Sequence, residues 1–215
     1  MTSQVEICNL ALSHIGAASI NSLDEASVQA QQCKLHYDIM LSQMLRDAPF
    51  QFAHRNEALA VLSEVDLFNW AYAYQYPSDC LRINHLVLNY EDVTPGSVSG
   101  ISYYNLKLPD LREQINYKIF NVAGNKVIGA NESELRVDYQ VLVDDPNLYD
   151  SEFVMAFSHL LASALAMPLI RGEMGRKTRS DELQVYEVYI NAAIDADLNE
   201  QFQDRPESEF ITTRK

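Results

Sequence analysis

Any acid–base or metal chemistry in this chain rests on five histidines and four acidic pairs. His14, His36, His54, His85 and His159 lie far apart, and none falls in an HxH, HxxxH or HExxH spacing, so a helical zinc-protease site is not written here. On helices, His36 and His159 are expected as satisfied or solvated side chains rather than ligands. The acidic pairs are Asp24-Glu25, Glu91-Asp92, Asp144-Asp145 and Asp181-Glu182. Paired carboxylates can serve a glycosidase or a metal-dependent nuclease. Here each pair flanks a helix start or sits in a loop, and acids at helix N-termini oppose the macrodipole favourably. Asp144-Asp145 lacks the DxDxDG frame of a calcium loop.

Nucleophile and phosphate motifs are missing too. There is no GxSxG elbow, no GxGxxG and no GxxxxGK[ST]. Arg171 to Thr178 bears a faint likeness to a phosphate loop, but its glycine spacing is wrong and it follows a helix rather than a strand. Cys8, Cys33 and Cys80 are odd in number and include no CxxC pair, so neither a disulfide framework nor zinc is indicated. The expectation is a protein that is not an enzyme, with no catalytic, cofactor-binding or metal-ligating residues. A hydrolase using Asp144, Asp145 or His159 is the least supported reading.

With 30 acidic and 16 basic residues, the formal charge is −14, the opposite of what gripping a phosphate backbone needs. The densest cationic stretch is Arg171, Arg176, Lys177 and Arg179, interrupted by Glu173 and expected as a solvated turn between helices. Trp70 to Tyr76 is rich enough in aromatics to stack bases, yet no Lys or Arg lies between Glu57 and Cys80. A core or subunit interface is the better reading of it. No basic, apolar leader opens the sequence. The most apolar helix, Phe153 to Ile170, carries Ser158, His159, Ser163 and Pro168, which reads as too polar to span a membrane. A reducing cytoplasm is expected.

The elements that would position these residues follow from periodicity. Val5, Cys8, Leu12 and Ile15 mark a first helix from about Ser3, closed by Gly16. A second runs from a Ser22/Glu25 capping box to Ala48 on a stripe of Ala26, Ala30, Cys33, Tyr37 and Leu41, ended by Pro49. Phe52 to Val143 then alternates at period two in several places, with four to six strands and a turn at Ala123-Gly124 or Gly124-Asn125. Helices return from an Asp150 N-cap to Pro168, which ends or kinks the helix, and from Arg179 to Asn199 after a turn bracketed by Gly172 and Gly175. The fold class expected is α+β, mainly α: a four-helix bundle (residues 1–52 and 144–199), an inserted antiparallel β-rich subdomain (53–143) and an extended C-terminal tail (200–215).

The first 53 residues resemble one family. Asn9-Leu10-Ala11-Leu12, His14-Ile15-Gly16, Ser22-Leu23-Asp24-Glu25, Ala30, Cys33, Tyr37, and Leu45 to Phe50 followed by Phe52-Ala53 look like the opening of head-to-tail adaptors of the tail tubular protein A type, from tailed bacteriophages. Phe50 stands where family members often carry Trp. The likeness implies a structural virion protein in the tail neck: a homo-oligomeric ring, usually dodecameric, that joins the portal protein to the tail nozzle protein. DNA passes through its lumen without specific binding, and no membrane is involved. C-terminal extensions in that family commonly dock on the portal, so the likeness assigns Phe202, Phe210, Ile211 and Arg214 to portal contacts. Trp70 is the candidate for the subunit interface, and Asn89 to Pro109 for neighbour or nozzle contact. The acidic balance suits a conduit whose walls repel phosphate. The alternative is an acidic cytoplasmic binding or regulatory module without enzymatic activity.

Overall fold

The structure, a computed structural model, describes residues 3–88 and 115–199. It mixes helix and sheet, with four α-helices and two small antiparallel sheets among the described residues. They fall into two compact units, Met1–Met40 with Pro146–Lys215, and Leu41–Asp145.

In the first unit, α1 (Gln4–His14) opens on a reciprocal capping box. The backbone N–H of Glu6 donates to Ser3 Oγ, and that of Ser3 to Glu6 Oε2. The helix closes in a Schellman turn: Gly16 N–H donates to Ser13 O and Ala17 N–H to Leu12 O, with Gly16 at φ +67°. Asn9 then clamps the following loop, since its side chain both donates to and accepts from the Ile20 backbone. Ile7, Cys8, Ala11 and Leu12 are buried.

α2 (Val28–Asp47) starts later than its sequence suggests. Ser22 and Glu25 do bond locally, with Asp24 N–H donating to Ser22 Oγ and Asn21 N–H to Glu25, but they form a turn. Ser27 is the cap, accepting from Ala30 N–H. Ala30, Cys33 and Tyr37 are buried, and the neighbouring Cys33 thiol together with burial pushes the Cys8 thiol pKa up. Tyr37 meets Phe157 edge to face at 5.1 Å.

α3 (Ser151–Ile170) begins after Asp150, whose side chain makes no capping bond. Pro168 lies inside its last turn instead of ending it. By length and composition α3 is apolar enough to cross a membrane, contrary to the sequence expectation. Phe153, Ala156, Phe157, Leu160, Leu161 and Leu165 are nonetheless buried within the chain. α4 (Gly172–Asn199) also starts earlier than expected, so the cationic stretch from Arg176 to Arg179 is helical. Arg171 and Gly172, at φ +60° and +64°, make the whole reversal. Gly175 then lets the helices meet: a Cβ there would lie 3.2 Å from Ala166 O.

The second unit begins with the last turns of α2. Arg82 donates to Arg46 O at 2.5 Å. The Gln140 amide, oriented to satisfy its hydrogen bonds, donates to Phe50 O and Ala53 O. One sheet has the order β1 (His54–Ala58), β6 (Leu135–Val141), β3 (Cys80–Leu88). The other has β2 (Tyr72–Gln75), β5 (Asn125–Ala130), β4 (Tyr117–Val122). Ala123 and Gly124, both at positive φ, turn β4 directly into β5. That fixes the hairpin and adds a strand that the alternation alone does not separate. Ile83, Leu86, Leu135, Val137, Tyr139 and Val141 of the first sheet share one core with Tyr74, Ile128 and Ala130 of the second.

Candidate functional site: a stacked histidine cluster, a histidine–aspartate bridge and exposed apolar faces

The helical unit gathers His14, Ser158, His159, Glu182 and Tyr189, contributed by α1, α3 and α4. The Schellman turn fixes His14 in the last turn of α1. Its ring stacks on His159 with centroids 3.9 Å apart and planes 14° from parallel. Tyr189 stacks on His159 at 5.1 Å. His159 Nδ1 lies 2.7 Å from Glu182 Oε2, with side-chain exposures of only 9% and 13%. His14 Nε2 is 3.0 Å from Ser158 Oγ, whose hydroxyl donates to Met155 O at 2.8 Å. Ser158 therefore accepts from His14 Nε2–H. Burial, and then the neighbouring His159, hold the His14 pKa below 6.5, with Glu182 pulling the other way.

A hydrolytic relay needs nucleophile, base and orienting carboxylate in line. Here the hydroxyl serves His14 and the carboxylate serves His159, so the cluster is two half-relays stacked face to face. The Tyr189 and His14 rings cover His159. What the arrangement can do is hold or exchange a proton while bracing three helices.

In the β unit, Asp138 on β6 bridges two histidines. Oδ1 is 2.6 Å from His54 Nε2 and accepts from Asn84 Nδ2 at 3.0 Å, while Oδ2 is 3.3 Å from His85 Nε2. Arg136 donates to Asn56 on the same sheet face. Period two puts Arg136, Asp138 and Gln140 on this polar face, and Val137, Tyr139 and Val141 on the core side. Among the described residues, no group of three or more His, Cys, Asp or Glu is arranged to hold a metal ion.

Trp70 is half-buried against its own unit, 6.4 Å from Phe120 in a T-shaped contact and packed on Leu67, Ala73 and Val127. It sits where Gly129 leaves room: a Cβ on Gly129 would lie 3.0 Å from Trp70 Cγ and 2.8 Å from Phe120 Cε2. Beside it, Phe68 projects from the turn Leu67–Trp70 with 89% exposure. Asp144 is exposed, and Asp24 pairs with Lys34 at 2.7 Å. Phe202, Phe210, Ile211, Arg214, Glu91-Asp92 and Asn89 to Pro109 lie outside the described residues.

Among the described residues, two helix faces carry exposed aliphatic side chains. On α2, Val28, Leu35 and Ile39 are 57–59% exposed. At roughly 100° per residue they fall within about 40° of arc, opposite Ala30, Cys33 and Tyr37. On α4, Met174, Val185 and Val188 are exposed within about 60° of arc, on the side away from buried Tyr186 and Ala193. The sequence analysis assigns no role to these residues, because a stripe wider than the core needs is visible only once burial separates its two sides. It also misses the partners of His14 and Asp138, which lie far off in the chain. No protein-family model matches the sequence, and no curated protein matches it.

Proposed function

We propose that this chain is a structural virion protein of the head-to-tail adaptor kind, whose helices form a mainly α four-helix bundle that packs side by side in a ring, of twelve copies as the resemblance implies. The ring joins portal to tail nozzle and lines part of the DNA channel. It has no enzymatic activity and no cofactor. The observation that carries the reading is the pair of exposed aliphatic stripes on α2 and α4. A cyclic assembly uses two different faces of each subunit, one for each neighbour, and these are two such faces in one unit. The −14 charge suits a wall past which DNA slides. Trp70 with its exposed neighbour Phe68 supplies a second contact region. The tail residues Phe202, Phe210, Ile211 and Arg214 reach the portal, and assembly precedes incorporation in the host cytoplasm.

Native mass spectrometry of the purified chain, alone and with its cognate portal, tests this. A ring alone, or a monomer that adds to the portal in about twelve copies, supports the adaptor. A monomer indifferent to the portal refutes it and leaves the acidic binding module.

A further inference from the structure

The stacked imidazoles do nothing that ring assembly requires. Two aromatic cations cannot share a face-to-face contact cheaply inside a protein, where charges are poorly screened. His14 and His159 are in such contact, and among the described residues Glu182 is the carboxylate that serves the pair, from the His159 side. One proton in the stack is balanced by Glu182; a second is not.

We propose that the His14–His159–Glu182 stack is an acid-operated latch, which holds the C-terminal turn of α1 on α3 near neutral pH and loosens it when His14 takes a proton. Geometry supports this at both ends. His14 is one residue from the C-cap of α1, so its displacement acts directly on the Schellman turn at Gly16 and Ala17. On the other side, His159 is held by Glu182 and Tyr189 from α4.

The titratable groups facing His14 are His159 from α3 and Glu182 from α4, with Tyr189 behind His159. From α2, Cys33 faces α1 at Cys8. Protonated His14 would keep its Nε2–H donation to Ser158, so the loss comes from the stacked pair, not from a broken hydrogen bond. The lowered pKa of His14 gives the sign. The open state binds the proton at the ordinary 6.5 and the closed state only at lower pH, so closure is fully favoured above 6.5 and weakens as pH falls through that window.

The latch does not depend on the adaptor reading. Hydrogen-exchange protection factors of residues 11–17 in the full chain, measured near pH 7.5 and near pH 5, test it. The expected result is a several-fold loss in the wild type and less than about twofold in His14→Gln, which keeps a donor for Ser158 but binds no proton. Equal protection at both pH values, or an equal loss in the variant, overturns the proposal. Should the variant fail to fold, NMR titration of the wild-type rings decides: a His14 midpoint below 6.5 that coincides with the loss of protection supports the latch, and a midpoint at or above 6.5 overturns it.

Discussion

Replacing Leu35 and Ile39 together with glutamine isolates assembly from folding. Both side chains are more than half exposed, at 57% and 58%, on the side of α2 away from its buried residues. Glutamine matches leucine in helix propensity and exceeds isoleucine, so α2 keeps its shape. Surface changes of this kind move stability by about 0.5 kcal/mol or less. Fully burying a Leu or Ile side chain stabilises by about 1.5–3 kcal/mol. With somewhat over half of each still available for burial, the two residues would bring about 2–3.5 kcal/mol to each contact of the proposed ring. At about 1.4 kcal/mol per tenfold, the double variant weakens neighbour binding by roughly 30- to 300-fold. Sedimentation velocity over a concentration series reads that shift, and a thermal melt of the same samples reports the fold. An assembly curve unchanged in the variant refutes the use of this face. A large fall in Tm at concentrations where only monomer exists refutes the claim that these residues lie outside the core.

Three further outcomes follow from the described geometry. Gly129→Ala places a methyl group 2.8 Å from Phe120 and 3.0 Å from Trp70, and overpacking of that sort costs about 1–3 kcal/mol; urea titration followed by the fluorescence of Trp70, the single tryptophan, reads it directly. Asp138→Leu leaves His54, His85 and Asn84 without their shared acceptor, and hydrogen bonds to a charged group are worth about 1.5–3 kcal/mol, so the urea midpoint falls clearly; a midpoint within error of wild type would show that the bridge contributes nothing. Phe68→Ser leaves Tm within about 2 °C, because that ring is 89% exposed, yet reduces the yield of assembled particles in native mass spectrometry; an unchanged yield removes Phe68 from any contact.

Local patterning carried much of the architecture. The Ser3/Glu6 box and Gly16 are short-range signals, and they bound α1 as their chemistry demands. The apolar repeat of α2 is equally local. The start of α2 is ambiguous in the sequence because Ser22/Glu25 and Ser27 both offer capping chemistry; in the fold Asn9 clamps the loop at Ile20 and Ser27 takes the cap. Pro168 and the Gly172–Gly175 segment are ambiguous in the sequence for a related reason. A proline near a helix end and glycines beyond it look like punctuation, but a close antiparallel approach of α3 and α4 uses Gly175 for space.

By itself the sequence determined the helical periods, the strand-like alternation, the acidic balance and the absence of recognised catalytic motifs. Each of these depends on neighbours within a few residues or on a simple count. Tertiary structure alone decided which distant groups meet. β1 and β3 pair with β6, not with each other, and so His54 and His85 come to flank Asp138. Packing of α1 and α4 on α3 brings His14 and Glu182 to His159. It also divides each helix into a buried side and an exposed one, which is why Leu35 and Val188 face solvent while Tyr37 and Tyr186 do not. The physical reason is the range of the interactions: caps and periods act along the chain, whereas stacking and strand order are fixed by burying apolar surface between segments that the chain itself keeps far apart.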